Sequence, residues 1–254
     1  MVRIYSVDGN IGAGKTTFLE AVRTAVPEVH VILEPVGEWL RLKHSDGRSL
    51  LELFYADKKR WAYTFQNCAI LTRLNATLEA LKVLPADAIV LTERSVLTDR
   101  YVFAEMLRAS GDLDSLEWEL YCKWFDAFAT TLPIKGIIYL STDFGTASQR
   151  IVKRARQGEE LMKCDYLIEL DAQHRRWVGS TTLPVLEICT DTPELMAASM
   201  TAVADFVTGG RPKSVVNPAA AFLEMLRPCE GVARPTTKSE QKSSEVAEFQ
   251  LQVR

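Results

Sequence analysis

The sequence has no excess of charge of either sign. Its 254 residues include 30 Lys and Arg against 33 Asp and Glu, which gives a formal net charge of −3 at pH 7. Because the two signs are interspersed, no molecule-wide field favours a nucleic acid or an anionic membrane. We expect neither as a partner, and any phosphate-bearing ligand must be held by a local cluster of cations.

Cysteines and long apolar runs are also scarce. The five cysteines are odd in number and lack the paired spacing of a zinc site or a disulfide framework. No apolar stretch reaches the length of about 20 residues that a membrane-spanning helix needs. Because the sequence enters a strand-like run at once, we expect no secretory or organellar leader. We therefore expect reduced thiols, a cytoplasmic location and no membrane partner.

Short apolar runs alternate with longer stretches of helical periodicity. The runs cover residues 2–7, 30–33, 88–91, 136–140 and 184–188. Strands that alternate with helices predict a parallel sheet with right-handed crossovers. With 47% of its residues apolar, the chain can bury one sizeable core. We predict an α/β fold with one main domain.

Two long amphipathic stretches, residues 50–84 and 113–132, supply much of the predicted helix. The second carries an aromatic stripe, which we interpret as packing in the core or between subunits rather than as a cofactor site. The stripe consists of Trp118, Tyr121, Trp124, Phe125 and Phe128.

The composition changes after residue 207. Gly209 and Gly210 are followed by scattered prolines and by an end rich in Lys, Ser and Glu from residue 236 onward. Such a composition is typical of weakly ordered chain, because it offers little apolar surface to bury. We predict a main domain over residues 1–207 and a weakly ordered C-terminal extension over residues 208–254, with a short helix near residues 219–226 as the exception.

A glycine-rich motif follows the first predicted strand and leads into a predicted helix over residues 16–26. It fits G-x-x-x-x-G-K-[ST] in the strand-to-helix context that this pattern requires. Its N–H groups would face the phosphates, Lys15 adds a point charge, and Thr16 offers a hydroxyl to Mg²⁺. The motif predicts a nucleoside triphosphate but does not specify an acceptor. Its residues are Gly9, Asn10, Ile11, Gly12, Ala13, Gly14, Lys15, Thr16 and the adjoining Thr17.

Glu34 stands at the carboxyl end of the second predicted strand, the edge at which open α/β sheets bind ligands. A carboxylate there can accept the proton of an attacking hydroxyl group. A strand-end Glu is more often a solvated residue or a helix cap, so this assignment needs companions. Phe65, Gln66 and Arg73 are candidates, because they lie near one helix face and can stack on a base or pair with its edge. The alternative is an amphipathic helix with ordinary surface polar residues.

Glu93 and Arg94 follow the third predicted strand and therefore reach the same sheet edge as the phosphate loop. There, Glu93 can hold Mg²⁺ through water, and Arg94 can stabilise the transferring phosphoryl group and the 5′-oxygen. A surface ion pair is the alternative interpretation.

A basic and then acidic segment follows the fourth predicted strand. Phosphoryl transfer needs positive charge that arrives from a mobile lid and excludes water, and closely spaced arginines suit that role. A solvated helix face is the alternative. We call residues 150–160 the lid segment, and its charged side chains are Arg150, Lys153, Arg154, Arg156, Glu159 and Glu160.

Five motifs together resemble the cellular deoxynucleoside kinase family, which includes deoxycytidine, deoxyguanosine and insect multisubstrate kinases. The resemblance runs through residues 1–207 in the same order and spacing. The motifs are residues 9–17, Glu34-Pro35-Val36 with Trp39, residues 55–66, Glu93-Arg94-Ser95, and Arg154-Ala155-Arg156 with Glu159.

This resemblance implies a P-loop kinase fold, a three-layer α/β sandwich with a central five-stranded parallel sheet, flanking helices and a lid. It also implies transfer of the γ-phosphate of ATP, with Mg²⁺, to the 5′-hydroxyl of a deoxynucleoside. Nucleotide salvage and DNA precursor synthesis are the expected setting. ATP and a deoxynucleoside are the expected partners.

By the same resemblance, Glu34 is expected beside the 5′-hydroxyl as base, with Arg94 on the same oxygen and on the phosphate. Glu93 is expected to serve Mg²⁺ together with Thr16, and such a residue is sometimes described as the proton acceptor itself. The implied catalytic residues are Glu34, Glu93, Arg94 and Lys15. The implied ATP site adds Arg150, Arg154 and Arg156 of the lid segment to residues 9–17.

The resemblance also assigns an acceptor pocket. Gln66 is expected to pair with the base, Phe65 and Phe103 to line it, and Tyr55 and Glu159 to hold the sugar 3′-hydroxyl. The full implied set is Glu34, Trp39, Tyr55, Phe65, Gln66, Arg73, Arg94, Asp99, Phe103 and Glu159.

Substrate choice is suggested by Arg73 and Asp99. They match the Arg and Asp pair that deoxycytidine and deoxyguanosine kinases keep beside the base, where thymidine-accepting relatives usually carry smaller apolar residues. A buried pair of this kind crowds the thymine methyl group and offers hydrogen bonds to amino or purine groups. We expect deoxycytidine and purine deoxynucleosides to be favoured over thymidine.

Three alternatives remain open. A nucleoside monophosphate kinase, such as thymidylate kinase, shares the fold and the loop, but Glu34 would repel its acceptor phosphate. A catalytically silent structural member of the family would be expected to lose Lys15, Glu93 or Arg94. A nucleotide-dependent switch or motor would have no use for the acceptor set.

A homodimer is expected, because the family pairs through helices and residues 118–128 offer an apolar face. The chain departs from the family pattern in its C-terminal extension and in the lid segment. There, Gly158 follows Gln157 where relatives often carry acids.

Overall fold

The computed structural model of the protein describes residues 1–209, and the strands in this part form one sheet. They are β1 (Arg3–Gly9), β2 (Val29–Ile32), β3 (Ile89–Glu93), β4 (Ile134–Ser141) and β5 (Val185–Cys189). All neighbouring pairs are parallel, in the order β2-β3-β1-β4-β5. The predicted five-stranded parallel sheet is confirmed, with every boundary within two residues of the prediction.

β1 lies at the centre of the sheet, because both of its edges are paired. Val7 is opposite Glu93 of β3, and Asp8 is opposite Tyr139 of β4. The strand order reverses at β1, since β3 and β2 extend to one side and β4 and β5 to the other. In open parallel sheets, such a reversal leaves a crevice at the carboxyl ends of the strands, where ligands bind. The glycine-rich motif follows β1 at this point.

Helices connect the strands, as parallel pairing requires. The described chain also contains a π-helical turn at Asp99–Ala104 and a 3₁₀ turn at Glu159–Leu161. The α-helices are α1 (Lys15–Ala25), α2 (Val36–Arg41), α3 (Leu50–Ala56), α4 (Lys58–Val83), α5 (Val96–Thr98), α6 (Glu105–Ala109), α7 (Ser115–Phe128), α8 (Phe144–Arg154), α9 (Cys164–Ser180), α10 (Pro193–Ala198) and α11 (Met200–Thr208).

Alternate residues of the strands face opposite layers, as the period of two of a strand requires. Tyr139 of β4 belongs to the core cluster that contains Phe54 of α3. The preceding Ile138 belongs to a second cluster with Phe18 of α1 and Phe206 of α11. Both faces of the sheet are therefore covered by helices, which is usual for parallel sheets. This arrangement is the predicted three-layer sandwich.

The helical pattern predicted over residues 50–84 is divided into two helices at Asp57. This residue ends α3 and begins α4, with φ −148° and ψ 87° outside the helical region. Its side chain accepts a hydrogen bond from the backbone N–H of Arg60 at 3.1 Å. The bond satisfies a free donor of the first turn of α4. The apolar periodicity continues across the break, so the sequence pattern alone does not reveal it.

The aromatic stripe of α7 divides between core and surface. Tyr121 and Phe125 are buried, and Trp118 is partly buried against the same core. Trp124 and Phe128 are 45% and 52% exposed. Trp118, Tyr121 and Phe125 therefore pack in the core, as interpreted from the sequence. Trp124 and Phe128 form an apolar patch on the surface.

Within residues 1–209, no helix is long and apolar enough to cross a membrane. The predicted C-terminal extension, apart from its first two residues, lies outside the described residues together with its short helix and Cys229. The described cysteines are unpaired thiols, namely Cys68, Cys122, Cys164 and Cys189.

Candidate active site

The glycine-rich motif forms the loop between β1 and α1. Gly14 caps α1 in the left-handed region, with φ 82°. Gly12 has φ 84°, and a Cβ placed on it would lie 2.4 Å from the backbone oxygen of Ala147. Backbone strain and contact with α8 therefore both exclude a side chain at Gly12. A loop of this shape at a helix N-terminus, where N–H groups lack partners within the helix, is suited to phosphate.

Lys15 is buried against this loop. Its Nζ donates hydrogen bonds to the backbone oxygens of Gly9 and Asn10 at 3.1 and 2.7 Å. Burial and then the positive charge of Arg94 lower the pKa of Lys15 to about 7. A bound phosphate would supply the negative charge that favours the protonated amine.

Thr16 and Glu93 meet where α1 begins and β3 ends. The Thr16 hydroxyl donates to the two carboxylate oxygens of Glu93 at 3.0 and 3.1 Å. A hydroxyl and a carboxylate suit Mg²⁺, which keeps several waters and takes further ligands from substrate phosphates. No group of three or more metal-ligating His, Cys, Asp or Glu side chains occurs in the part of the chain that the structure describes. A magnesium ion here would therefore depend on the triphosphate for part of its ligand set.

Glu34 follows β2 and lies between two arginines. Nη1 of Arg94 donates to both of its carboxylate oxygens at 2.9 Å, and Nη2 of Arg73 donates to Oε1 at 3.0 Å. Burial raises the pKa of Glu34, but the charges of Arg94 and then Arg73 outweigh burial and hold the pKa well below its ordinary value. Such a carboxylate is ionised but weakly basic. It becomes a stronger base only if an arginine turns to another partner.

Arg73 of α4 links the end of β3 to the π-helical turn. Its Nε and Nη2 donate to the two carboxylate oxygens of Asp99 at 2.9 and 3.2 Å, and its Nη1 donates to the backbone oxygen of Glu93 at 2.8 Å. The side chains of Arg73 and Asp99 are 4% and 2% exposed. A planar guanidinium with five donors can satisfy all these acceptors at once, whereas a lysine ammonium cannot. The two residues that sequence reasoning placed beside the base are therefore in direct contact.

Gln66 and several aromatic residues line a cavity beside this pair. Phe65 stacks on Phe54 with ring centroids 4.5 Å apart and 17° between the planes, and Trp39 meets Phe65 edge-on at 5.3 Å. Gln66 is 1% exposed, and its Oε1 has no hydrogen-bond partner among residues 1–209. Leaving such a buried acceptor unpaired costs about 1–3 kcal/mol. The amide oxygen therefore suits a donor group on a ligand.

Phe103 completes the aromatic lining of the cavity. The guanidinium carbon of Arg94 lies 5.0 Å from the centroid of its ring. Phe103 is four residues after Asp99 in the π-helical turn, and both residues are buried at the cavity. The turn thus supplies one polar and one aromatic group to the same wall.

Three residues of the lid segment, Arg154, Arg156 and Glu159, line the cavity. Glu159 is buried there, and Arg154 donates to its two carboxylate oxygens at 2.7 and 2.9 Å. Arg156 donates to the same carboxylate at 3.3 Å. Tyr55 lines the cavity as well, and burial followed by the carboxylate of Glu159 raises its pKa. Its hydroxyl therefore stays protonated and able to donate.

The cavity volume is about 50 Å³. This is room for only a few water molecules, since one water needs at least about 10–15 Å³ by this kind of measure. A nucleoside would therefore have to displace side chains that now lie in the cavity. The side chains of Arg154 and Glu159 in the lid segment can be displaced most simply, because a sugar hydroxyl can replace the hydrogen bonds between them.

Arg150 takes a different position from the other lid arginines. Its Nη2 donates to the backbone oxygens of Thr190 and Asp191 at 2.6 and 3.2 Å. It lines a second cleft of about 640 Å³ beside the phosphate loop. Arg154 and Arg156 line both this cleft and the smaller cavity. The lid segment therefore borders both the small cavity and the larger cleft beside the phosphate loop.

The sequence did not reveal several residues that line the small cavity and the larger cleft. Leu51 lines the cavity one helical turn before Tyr55, so helical spacing could have found it. Tyr166 of α9 lines the same cavity, and Pro193 and Met196 of α10 line the larger cleft. These three come from distant elements and carry no local motif.

The fold and the site together define a P-loop kinase whose acceptor side contains carboxylates, which suits an uncharged hydroxyl compound. Comparison with known proteins identifies the family. The model of the deoxynucleoside kinase family matches residues 5–208. The chain belongs to the deoxynucleoside kinase family, and it is an ATP-dependent phosphotransferase.

Individual relatives agree with the family model. Deoxycytidine kinase 2 of Gallus gallus is 34% identical over 203 residues, which cover 72% of this chain and 77% of the relative. A probable deoxycytidine kinase of fowlpox virus is 37% identical over 191 residues, with the same coverage of both chains. Deoxycytidine kinase of Homo sapiens is 33% identical over 201 residues, again covering 72% and 77%.

Proposed function

We propose that this kinase phosphorylates deoxycytidine and purine deoxynucleosides in preference to thymidine. The main support is the buried pair of Arg73 and Asp99, which lines one cavity with Gln66, whose Oε1 has no hydrogen-bond partner within residues 1–209. The amino group of cytosine or adenine can donate to such an oxygen, whereas thymine carries an acceptor at the equivalent position and a neighbouring methyl group. The buried ion pair would crowd that methyl group.

In the proposed reaction, Glu34 accepts the proton of the 5′-hydroxyl while the oxygen attacks the γ-phosphorus of ATP. The bond between the γ-phosphorus and the β,γ-bridging oxygen breaks, and ADP leaves. Arg94 changes partner from Glu34 to the phosphoryl group, which removes the charge that most lowers the pKa of Glu34. Arg73 stays on Asp99 and keeps the carboxylate of Glu34 in place. Lys15 and the N–H groups of the loop hold the phosphates.

Thr16 and Glu93 would hold Mg²⁺, which, when bound, neutralises charge on the β- and γ-phosphates. Arg154 and Arg156 of the lid segment border both cavities, so they can add positive charge next to the transferring group. In this proposal, Glu159 leaves them in part to bind the sugar 3′-hydroxyl together with Tyr55.

A nucleoside monophosphate kinase is less consistent with this site. The four arginines that line the acceptor cavity are all paired with carboxylates: Arg94 with Glu34, Arg73 with Asp99, and Arg154 and Arg156 with Glu159. An acceptor phosphate would have to approach these acids and compete with them for the arginines. A hydroxyl group meets no such repulsion.

A panel of four deoxynucleosides, each incubated with ATP and Mg²⁺, tests the proposed function. We expect phosphorylation of deoxycytidine or a purine deoxynucleoside, and a much lower kcat/KM for thymidine. Thymidine 5′-monophosphate in the same assay distinguishes the monophosphate kinase. Turnover of thymidine at the rate of the other substrates would reject the assigned specificity.

We also propose a homodimer that pairs through α7 and the neighbouring α4. Every fourth residue of α7 from Leu116 onward is an exposed apolar side chain, and Leu71 of α4 is 48% exposed. An apolar stripe of this kind is typical of an interaction surface. The stripe consists of Leu116, Leu120, Trp124 and Phe128, which are 65%, 41%, 45% and 52% exposed.

A cytoplasmic location is part of the same proposal, because the unpaired thiols of the described chain stay reduced there. Cell fractionation with an antibody to the protein tests it. Recovery in a secreted or membrane-enclosed fraction would reject it.

A further inference from the structure

The lid segment contacts the start of α3 through a side chain that has two tasks. Oε1 of Glu52 accepts a hydrogen bond from Nε2 of Gln157 at 3.1 Å. Oε2 of Glu52 accepts from the backbone N–H and the hydroxyl of Ser49, each at 2.7 Å, and the Ser49 hydroxyl accepts from the N–H of Glu52. One oxygen therefore completes the capping box of α3, and the other binds the lid segment.

Gly158 allows the lid segment to approach α3 closely. Its φ of +92° lies in the left-handed region, and a Cβ placed on it would lie 3.0 Å from Cγ and 3.2 Å from Cα of Glu52. The Cα belongs to the backbone of a capped helix and cannot yield as a flexible side chain would. A side chain at residue 158 would therefore push the lid segment away from α3.

The two segments that meet at this contact both line the acceptor cavity. Leu51, Phe54 and Tyr55 of α3 line it. Arg154 and Glu159, on either side of Gln157 and Gly158 in the chain, line it as well. The contact itself lies outside the cavity, since it involves none of the residues that line it.

We propose that Glu52, Gln157 and Gly158 form a clasp that positions the lid segment over the acceptor cavity, and that nucleoside affinity depends on it. The proposal rests on the proposed function, because the cavity must hold a deoxynucleoside for the clasp to matter in catalysis. The three residues are positioning residues and touch no substrate. They act through Glu159 and Arg154, whose distance from Tyr55 the clasp sets.

Loosening the clasp has two expected consequences. The KM for the nucleoside rises more than the KM for ATP, because the phosphates remain bound by the loop while the sugar loses a correctly placed Glu159. ATP hydrolysis in the absence of nucleoside increases relative to transfer, because a displaced lid segment admits water.

The first test replaces Gln157 by Glu, a change of nearly the same shape that sets a carboxylate against Glu52. We expect kcat/KM for the nucleoside to fall about fivefold, the order of effect of one exposed charge contact. The reciprocal double variant E52Q/Q157E should restore most of the loss. The amide introduced at position 52 can accept from Ser49 with its carbonyl oxygen, as capping boxes permit, and can donate with its nitrogen to the carboxylate introduced at position 157.

The second test compares Gly158→Ala with Gly47→Ala. Gly47 has φ +88°, and a Cβ on it would meet nothing within 4 Å among the described residues. The two glycines therefore have nearly the same left-handed φ, but only Gly158→Ala meets α3. We expect the nucleoside KM to rise in Gly158→Ala and to stay at the wild-type value in Gly47→Ala.

A readout without turnover separates this proposal from the proposed function. Trypsin should cleave after Lys153, Arg154 or Arg156 faster in Gln157→Glu and Gly158→Ala than in the wild type or in E52Q/Q157E, at equal thermal stability. Equal cleavage rates, or a double variant that is no better than Gln157→Glu, would overturn the clasp. Faster cleavage in a protein that phosphorylates no deoxynucleoside would support the contact and reject the function.

Discussion

Glu34 is held by two arginines, since Arg94 and Arg73 both donate to its carboxylate. We expect Glu34→Gln to lower kcat by about 10²–10⁴, the usual contribution of a general base. ATP binding should be retained, because the residue is on the acceptor side. Steady-state kinetics and calorimetric titration with ATP provide the measurement. Glu38→Gln, an exposed change in α2, is the matched control, and equal turnover of both variants would exclude Glu34 from the chemistry.

Replacing Arg73 and Asp99 together removes both charges of the ion pair, so neither residue is left buried without its partner. The double variant Arg73→Met/Asp99→Ala should raise the kcat/KM for thymidine relative to deoxycytidine by about tenfold or more, because the methyl group gains space in the cavity. Competition between the two nucleosides in one assay measures this ratio directly. Arg73→Met alone leaves Asp99 buried and unpaired and should lose stability instead. An unchanged ratio in the double variant would remove the pair from substrate choice.

Lys15 gives the site a pH dependence. Its pKa of about 7 in the ligand-free protein means that the amine loses its charge as pH rises through neutrality. A bound triphosphate favours the charged form, so ATP binding should take up a proton near neutral pH and weaken as the pH rises above about 7. Titration calorimetry in buffers of different ionisation enthalpy measures the uptake. Lys15→Arg, which stays charged in this range, should bind without it.

Among the elements, α8 ends in a strained residue. Ala155 has φ 47° and ψ 45°, the left-handed conformation that glycine adopts most readily. We expect Ala155→Gly to stabilise the protein by up to about 1 kcal/mol, which corresponds to about 2–4 °C in Tm. Differential scanning calorimetry tests this. Ala80→Gly within α4, where the backbone is right-handed, should destabilise by about 1 kcal/mol. The same sign for both variants would contradict the assignment of strain.

The same elements show which parts of the site can be predicted from the sequence. The residues at strand ends, Glu34, Glu93 and Arg94, were predictable because the carboxyl ends of parallel strands meet at one edge. Phe65, Gln66 and Arg73 followed from helical spacing within one helix. The stacking of Phe54 on Phe65 was not predictable, since it depends on the break at Asp57 between two helices that share one periodicity. The clasp was equally hidden, because it joins residues 105 positions apart.

At the scale of the whole molecule, the exposed apolar stripe of α7 is the proposed contact between two copies of the chain. Light scattering at micromolar concentration should give twice the mass of one chain for the wild type. Trp124→Glu places a charge in the middle of the stripe and should give a single-chain mass, because burying an unpaired charge at an interface is costly. Ile168→Glu changes an exposed apolar residue of α9 instead and should remain dimeric. A single-chain mass for the wild type would reject the homodimer.

The pairing of Arg94 with Glu34 bears on the order in which substrates act. The guanidinium that lowers the basicity of Glu34 is the same one that, in the proposed mechanism, moves to the phosphoryl group of ATP. ATP would therefore have to be bound before Glu34 could accept the proton of the 5′-hydroxyl, so a nucleoside that bound first would wait unreacted for the donor.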